Sequence, residues 1–487
     1  MLWPVGALYR GLGFKGRSVA MATMFGKVLA GHCVGNPRDD FLPYTPLSKI
    51  PFNRFRTQGI TIAPTWKRLL DATRPKCRRW LDRNIRRCAD LRDTRIPNDW
   101  DRRGLPGWCY HSAELLKLEK EEVFKTHWQI VCHVSDIPKN GDFQTLDLCG
   151  ERAIVLRDNA GDIRAFHNTC RHRGSRLVSK DHGNCPSAMI CPFHGWVYNL
   201  DGTLRGAARP DSYPPLDKNE FALRRLEHEV WNGFVFVRFK PGPQPSVADL
   251  LNPFADEAAS YRMLKQVPTD GIWAETSPVN WKSVRDVDNE GYHVAMAHPA
   301  LQDLYGYTYS DEPYVDGISR SEGKYTPSKG RRWAVRNYKK LSKSQEFLPE
   351  AQKQSWIYYG IFPNAVIAVT PETSLFYQEL PISTNESVIR SATYRYANED
   401  RQQRAARYLA SRIDRETVVE DVQLTIWSNE AMASEFFQGF HLSDLEYGVR
   451  SHHDHLRAVL PIYNVESAPN EDDVRALNDR LLADVVE

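Results

Sequence analysis

The stretches Cys170-Arg171-His172-Arg173-Gly174 and Cys191-Pro192-Phe193-His194-Gly195-Trp196 decide how this 487-residue chain is interpreted. Each stretch offers one cysteine and one histidine, and 18 residues lie between His172 and Cys191. Thiolates and imidazoles are typical ligands of transition metals, so these four side chains predict a metal site. A zinc finger would group cysteine with cysteine and histidine with histidine. The alternating order instead favours a [2Fe–2S] cluster, with both cysteines on one iron and both histidines on the other.

The composition predicts a globular protein of two or three domains. Hydrophobic residues make up 41% of the chain and charged residues 26%, which is ordinary for globular domains, and the length exceeds that of one domain. Short strand patterns between turn residues predict a small all-β domain at 105–245, and alternating strands and helices follow at 246–465. The predicted fold class is α+β, with an N-terminal extension at 1–104 and a C-terminal tail at 466–487.

The N-terminal extension is basic. Up to Arg103, roughly 21 Lys and Arg residues stand against 8 Asp and Glu residues. We favour a disordered or wrongly started segment, with an organellar presequence as the alternative. Nucleic-acid binding is a weaker alternative because no motif with a groove geometry accompanies the charge. All nine cysteines lie at or before Cys191 without a secreted disulfide pattern, and no apolar run is long enough for a membrane span, so we expect a cytoplasmic protein.

The second half gives three predictions of local structure. Periodicity predicts helices at 280–297 and 401–432 and antiparallel strands at 356–395. The stretch 310–346 is polar and long, so we predict disorder or a mobile loop over a site. Aromatic residues along the strands have two interpretations, the favoured one being sheet core and the other a wall that binds a cation. These aromatic residues are Trp356, Tyr358, Tyr359, Phe362, Phe376 and Tyr377.

With their flanking residues, the two Cys-and-His stretches resemble the Rieske [2Fe–2S] domain. Rieske proteins of respiratory complexes carry an additional cysteine in each stretch, joined as a disulfide. Ser175 and Phe193 occupy those positions here, so the segment resembles the oxygenase or ferredoxin branch. The resemblance assigns the cluster to Cys170, His172, Cys191 and His194. Cys185 lies between the stretches and is interpreted as an ordinary thiol.

A second pattern is Asn280-Trp281-Lys282 followed by Glu290-Gly291-Tyr292-His293 and His298-Pro299. By themselves two histidines five apart are more often incidental, and the functional interpretation is a mononuclear iron site. A ferrous ion that binds O2 needs open positions, which two histidines and one carboxylate leave free. Residues five apart are poorly aligned on a regular helix. Because the residue before a proline avoids the helical region, we expect the helix to end near Ala297 and His298 to turn back; a π-bulge is the alternative.

This second pattern resembles the iron-binding segment of Rieske oxygenase catalytic domains, which have a helix-grip fold. By that resemblance His293, His298 and Asp421 are the iron ligands, with Glu420 as the nearest competitor of Asp421. Glu290 would carry electrons from His194 of a neighbouring subunit to an iron-ligating histidine. Asp286, one helical turn earlier, is predicted to point toward the same iron region.

The resemblance implies an O2-dependent mono- or dioxygenase that receives electrons from NAD(P)H through a separate reductase or ferredoxin, because no flavin or nicotinamide motif occurs in the chain. We expect a homotrimer, with or without a β subunit, without nucleic-acid or membrane partners. Aromatic ring hydroxylation is the first expectation for the substrate. The alternative is monooxygenation of a quaternary or methylated amine, toward which Glu290 points. An electron carrier with an empty mononuclear site is the second alternative.

Overall fold

The computed structural model describes residues 2–5, 8–11, 96–342, 345–434 and 436–486. The chain divides into two compact units, Met1–Leu91 and Arg92–Glu487. In the first unit, strands β1 (Leu2–Val5) and β2 (Leu8–Gly11) form an antiparallel pair. The predictions for the remainder of the basic extension up to residue 95 lie outside the described residues. Among those described, no helix is both long and apolar enough to cross a membrane.

The second unit begins with helix α1 (Ala113–Glu119), whose N-cap residue Ser112 accepts a hydrogen bond from the Leu115 backbone N–H. Small antiparallel sheets follow, with strand orders β6-β5-β4-β7, β10-β9-β8 and β11-β12-β3. This confirms the predicted small all-β part. The strands are β3 (Gln129–His133), β4 (Asp142–Leu148), β5 (Glu151–Arg157), β6 (Ile163–His167), β7 (His182–Asn184), β8 (Met189–Ile190), β9 (Val197–Tyr198), β10 (Leu204–Gly206), β11 (Glu227–Trp231) and β12 (Phe234–Arg238).

The remainder of the unit is built on an antiparallel sheet with the order β13-β20-β19-β18-β17-β16-β15, in which β14 also pairs with β20. This confirms the α+β class. The strands are β13 (Gln266–Pro268), β14 (Trp273–Ser277), β15 (Tyr309–Val315), β16 (Ile318–Lys324), β17 (Ser355–Ile361), β18 (Ala365–Val369), β19 (Thr373–Ser383) and β20 (Glu386–Tyr396). The helices are α2 (Val247–Leu250), α3 (Ala255–Ser260), α4 (Trp281–Asp288), α5 (Val294–Ala297), α6 (Pro299–Tyr305), α7 (Trp333–Leu341), α8 (Arg401–Met432), α9 (Tyr447–Val459) and α10 (Val474–Val486).

The two faces of this sheet bury different side chains, because successive residues of a strand point to opposite faces. On β17, Ile357 and Tyr359 pack with residues of α3 in one core cluster. Trp356 lies in another cluster, with Leu304 of α6 and Leu409 of α8. The predicted aromatic wall is therefore divided, since Tyr359 and Phe376 are core residues whereas Tyr358 and Tyr377 are only half-buried.

Helix α8 has the predicted bounds. Asp400 and Gln403 form a capping box at its N-terminus, which satisfies backbone N–H groups that the first turn leaves free. Ala406, Leu409 and Ile413 lie on one buried face of the helix. This spacing of three and four residues is the one that packs a helix onto a core.

Two predictions of local structure were wrong. The continuous helix at 280–297 is interrupted after Asp288, where Asn289 caps α4. The stretch 310–346 is not a loop, because it holds β15, β16 and α7. Its polar character arises because the β15–β16 hairpin is the edge of the sheet. The turn residues Asp316 and Gly317 both have positive φ, which the tight hairpin turn requires, and this Asp-Gly pair was a signal for the hairpin.

Predicted boundaries at 104, 245 and 465 stay predictions. The chain divides into compact units after Leu91, and residues 92–487 form a single unit. The predicted tail contains α10, whose Val474 is buried in the same core cluster as Leu115 of α1. Residues 466–487 thus include a packed helix.

Candidate metal centres

The two Cys-and-His stretches fold alike. The first is a loop that follows β6, and the second is a loop between β8 and β9. In the first, the Gly174 N–H donates to the Cys170 carbonyl (2.9 Å), and in the second the Gly195 N–H donates to the Cys191 carbonyl (3.0 Å). Gly174 and Gly195 have φ of 73° and 67°, a conformation that favours glycine. The sequence spacing of cysteine, histidine and glycine is therefore set by two equivalent turns.

These loops present four donor groups to one another. Cys170 and Cys191 are both 2% exposed, and the rings of His172 and His194 lie 4.7 Å apart. The Nδ1 atoms of both histidines are buried and have no hydrogen-bond partner within the described part of the chain. Buried polar atoms rarely stay unpaired, so two thiols and two free imidazole nitrogens fit the donor set of a [2Fe–2S] cluster.

Neighbouring side chains hold the donors in place. The Trp196 ring stacks on His172 at 5.2 Å with an interplanar angle of 5°. Tyr198 Oη lies 3.4 Å from Cys170 Sγ. Burial raises the pKa of the Cys170 thiol, and Cys191 raises it further. Burial lowers the pKa of His172, and the nearby His194 does so too, which keeps His172 in the neutral form that binds metal.

The mononuclear site is formed where the helix through residue 288 breaks. Helix α5 ends at Ala297, and His298 has φ −115° and ψ 79°, outside the helical region and directly before Pro299. This confirms the predicted end of the helix. His293 Nε2 and His298 Nε2 are 3.0 Å apart, and Asp421 Oδ1 of α8 lies 2.9 Å from His298 Nε2.

His293, His298 and Asp421 could together hold a metal ion, because one donor atom of each lies within 4.8 Å of the other two. Asp421 Oδ1 is buried, and its polar neighbours are the Nε2 atoms of His298 (2.9 Å) and His293 (3.6 Å). Two imidazoles and one carboxylate that bind one face of a ferrous ion leave its other coordination positions open. The ligand roles of His293, His298 and Asp421 stay predictions that this geometry fits.

Each of these histidines is held by a second carboxylate at its other nitrogen. Glu290 Oε1 lies 2.5 Å from His293 Nδ1, and Glu420 Oε2 lies 3.0 Å from His298 Nδ1. Carboxylates in this position fix the ring and its tautomer. Burial lowers the pKa of His293, but the hydrogen bond to Glu290 and the charges of Asp421 outweigh it, so that the net shift is upward. Glu420, the competitor of Asp421 in the sequence, is placed behind His298.

Asp286 lies apart from the converging donors. Its carboxylate accepts hydrogen bonds from Tyr110 Oη (2.6 Å) and His453 Nε2 (2.8 Å). These contacts tie α4 to α9 and to the segment before α1. A catalytic role of Asp286 stays a prediction, and its observed partners are structural ones.

A cluster of acidic and tyrosine side chains, Asp288, Tyr309, Tyr358, Tyr377 and Asp414, lies beside the mononuclear site. We call this cluster the chamber wall and the region that it borders the chamber, and the sequence did not reveal most of it. Asp414 keeps an exposed surface and Tyr358 is half-buried, although many atoms of the fold surround both side chains. Tyr377 Oη donates to Asp288 Oδ1 (2.6 Å), and the rings of Tyr309 and Tyr358 are 6.5 Å apart. Burial raises the pKa of Asp414 to about 6, and Asp421 adds to the shift. Only the aromatic run on β17 and β19 signalled this wall.

Two family models match the chain within the second unit. Residues 127–218 match the Rieske [2Fe–2S] domain, and residues 259–462 match the catalytic domain of the ring hydroxylating alpha subunit. The second unit thus combines the Rieske [2Fe–2S] domain with the catalytic domain of the ring hydroxylating alpha subunit. The family resemblance, the α+β fold and the two kinds of iron centre predicted from the sequence are thereby confirmed.

Similar proteins carry two kinds of activity in their names. The glycine betaine monooxygenase oxygenase subunit of Chromohalobacter salexigens is 32% identical over 49% of this chain and 54% of that protein. The anthranilate 1,2-dioxygenase large subunit of Acinetobacter baylyi is 34% identical over 44% of this chain and 45% of that protein. The chain thus spans about half the length of these curated relatives.

The fold has solved counterparts. A quaternary ammonium Rieske monooxygenase, studied for carnitine oxidation and inter-subunit electron transfer, superposes with a TM-score of 0.62 at 23% identity. The match covers 73% of this chain and 94% of that chain. At this identity the likeness establishes the shared fold.

Proposed function

We propose that this Rieske oxygenase hydroxylates a carbon next to the nitrogen of a quaternary or methylated ammonium compound. The reaction consumes the substrate R–H, O2, two electrons and two protons, and yields R–OH and water. A hydroxylated N-methyl group then leaves as formaldehyde, and a hydroxylated longer substituent leaves as an aldehyde, with the amine released in both cases. This was the alternative in the sequence analysis, where an aromatic ring was the first expectation.

The observation that carries this proposal is the chamber wall. Asp288 and Asp414 supply carboxylates, and Tyr309, Tyr358 and Tyr377 supply ring faces. An ammonium ion gains from carboxylate charge and from ring faces when it is desolvated. An aromatic hydrocarbon gains nothing from buried carboxylates, which are costly to desolvate without a partner.

The arginine that pairs with Asp288 is already neutralised by a second carboxylate. Arg285 is fully buried, pairs with Asp288 and lies 3.0 Å from Glu379 Oε2 through its Nε. Asp414 adds a further carboxylate, whose pKa Arg415 lowers and Asp421 raises. Relatives named for glycine betaine and carnitine oxidation, at 32% identity, support the same substrate class.

When bound, the cluster and the ferrous ion supply single-electron transfer and O2 activation. The residues of the chain hold and orient these centres. Glu290 fixes His293, Glu420 fixes His298, and the break before Pro299 lets both imidazoles face Asp421. A separate reductase supplies the electrons, because the chain has no nicotinamide or flavin motif.

Assembly of several copies is part of the proposal. Tyr292 and Met296, beside the iron-binding histidines, are 47% and 71% exposed, and Phe193 and Ile190, beside the cluster, are 56% and 60% exposed. Exposed apolar groups of this size mark interaction surfaces. Contact between these two surfaces in neighbouring copies would bring a cluster close to Glu290, as the family resemblance predicts for a trimer.

The test is a substrate panel run with the holoenzyme, a generic Rieske reductase, NADH and O2. The panel contains betaine-like and carnitine-like ammonium compounds, their neutral tert-butyl analogues, and aromatic acids including anthranilate. We expect aldehyde release, in step with NADH loss, from an ammonium compound only. Formation of a ring diol or phenol together with no aldehyde would contradict the proposal and favour the dioxygenase-like alternative.

The variant Asp414→Asn sharpens this test. We expect KM for the ammonium substrate to rise more than kcat falls, because the lost charge acts on binding. Glu416→Gln is the matched control, since Glu416 lies on the same helix but faces Arg332 and Arg412 outside the chamber. Equal kinetics in both variants would remove Asp414 from the substrate wall.

A further inference from the structure

We propose that a continuous chain of aromatic side chains carries oxidising equivalents from the chamber to the partly exposed Tyr325 when O2 is activated without substrate. This function protects the iron ligands from oxidation. It rests on oxygenase chemistry at the mononuclear site but not on the ammonium substrate.

The rings follow one another at nearly constant spacing. Ring centroids are separated by 6.0 Å from Tyr309 to Tyr305, by 5.8 Å from Tyr305 to Trp356, and by 5.9 Å from Trp356 to Tyr338. The last step, from Tyr338 to Tyr325, is 5.6 Å. Tyr305 and Tyr338 are 0% exposed and Trp356 is 3% exposed. The path thus runs through the buried core, and no two neighbouring ring centroids in it are more than 6.0 Å apart.

The inner end of this path touches the iron-binding segment. A Cβ placed on Gly291 would lie 2.0 Å from the Tyr309 ring, so this ring packs directly on the backbone between Glu290 and Tyr292. Tyr358 joins the path from the chamber wall, with its Oη 3.3 Å from Tyr305 Oη. Tyr309 is therefore the ring of the path that contacts the predicted iron-binding segment.

A hydrogen-bond network around Tyr338 provides for the proton. Tyr338 Oη donates to Glu372 Oε2 at 2.8 Å and accepts from Tyr325 Oη and Trp356 Nε1, both also at 2.8 Å. Glu372 Oε1 is buried and has no hydrogen-bond partner among the described residues. Burial raises the pKa of Glu372 to about 8, so both its ionised and neutral forms are accessible near neutral pH.

The electron and proton balance is as follows. The oxidant formed from O2 takes one electron from Tyr309 and is reduced by it. Tyr305 then reduces Tyr309, Trp356 reduces Tyr305, and Tyr338 reduces Trp356. Tyr338 passes its phenolic proton to ionised Glu372 and becomes a neutral radical. Tyr325 gives Tyr338 one electron, and Glu372 gives the proton back to Tyr338. Tyr325, which is half-buried, releases its own proton to solvent and is left as a neutral radical. An external thiol or ascorbate restores Tyr325 by giving up one hydrogen atom.

Packing alone does not require these groups. Phenylalanine fills a core as well as tyrosine and avoids burying a hydroxyl, which is costly unless it is hydrogen-bonded. The chain keeps hydroxyls at Tyr305, Tyr325 and Tyr338 and an acid at Glu372, all linked by the bonds above. A linked set of oxidisable groups with its own proton acceptor is what a transfer path needs.

The experiment uses the holoenzyme with its reductase and O2 in the absence of substrate. Freeze-quenched samples are analysed by electron paramagnetic resonance, and oxidised residues are mapped by peptide mass spectrometry. We expect a tyrosyl radical in the wild type, and its loss from the outer tyrosines in Trp356→Phe and Tyr338→Phe. In both variants inactivation becomes several-fold faster, and oxidation accumulates at the His293–His298 peptide.

Controls separate this result from damage to the fold. Tyr394→Phe removes another fully buried tyrosine of the same sheet, hydrogen-bonded to Asp136 at 2.7 Å, and should behave as the wild type. Circular dichroism and the visible cluster spectrum verify folding of each variant. No tyrosyl radical in the wild type, or equal inactivation in all four proteins, would overturn the proposal. Because no substrate is used, failure of the ammonium hypothesis would leave this outcome unaffected.

Discussion

At the scale of single residues, the sequence predicted the donors that the fold brings together and missed the carboxylates that hold them. Cysteine and histidine at fixed spacing, and His298 before Pro299, are local patterns that a sequence carries. Glu420 and Asp421, by contrast, are adjacent carboxylates in the sequence. Glu420 contacts His298 Nδ1 and Asp421 contacts His298 Nε2, and this difference depends on how α8 packs. Asp288 and Asp414 reach the chamber from separate helices, so no motif joins them.

Glu420 is expected to stabilise iron binding without ligating it. Glu420→Gln removes the charge that orients His298, and loss of such a partner weakens metal affinity by roughly 10- to 100-fold. Titration of the metal-depleted protein with ferrous iron measures this. Glu416→Gln, on the outer face of the same helix, should bind as the wild type. Unchanged iron affinity in Glu420→Gln would show that its hydrogen bond to His298 is dispensable.

The pH dependence of substrate binding is expected to follow Asp414. Burial raises its pKa to about 6, Arg415 opposes the shift and Asp421 adds to it. A cation prefers the ionised carboxylate, so affinity for an ammonium ligand should fall as the pH drops through about 6 and level off above it. Calorimetric titration between pH 5 and pH 8 measures the profile. The profile should flatten in Asp414→Asn; an unchanged profile there would assign it to another group.

The elements divide into those that local periodicity defines and those that their neighbours define. Helix α8 has its predicted ends because an apolar stripe and a capping box agree. The helix at 280–297 is broken because Asn289 caps α4 and because His298, directly before Pro299, leaves the helical region. The β15–β16 hairpin was missed because an edge strand with one solvated face has few apolar residues.

Gly291 tests the break between α4 and α5. Its Cβ position overlaps the Tyr309 ring, so Gly291→Ala forces either the ring or the iron-binding segment to move. Overpacking of this kind costs about 1–3 kcal/mol, and we expect a lower unfolding midpoint together with reduced iron content. Gly206→Ala is the control, because nothing lies within 4 Å of its Cβ position. Equal stability of both variants would mean that the segment tolerates displacement.

At the scale of the whole molecule, the sequence predicts two iron centres in one chain but not their spatial relation. Composition and strand patterns separated the all-β part from the helix-containing sheet, because each follows its own periodicity. How copies associate depends on surfaces such as those around Phe193 and Met296, whose exposure only the fold defines. The proposed transfer between copies is therefore tested by mixing chains.

Mixed oligomers of Cys170→Ala and His293→Ala chains are expected to recover activity. One chain lacks the cluster and the other lacks the mononuclear iron, so each is inactive alone. A neighbouring cluster can serve the intact iron of the first chain only if electrons pass between subunits. Co-expression with two affinity tags isolates the mixed species, and product formation is measured. Inactive mixed oligomers of confirmed composition would place the transfer within a single chain.

The central claim is that one polypeptide holds a [2Fe–2S] cluster and a separate iron. Quantification of iron and acid-labile sulfide in purified wild type and His293→Ala tests it most directly. We predict about three irons and two sulfides per wild-type chain, and about two irons and two sulfides in the variant with its cluster spectrum intact. Equal iron content in both proteins would contradict the claim.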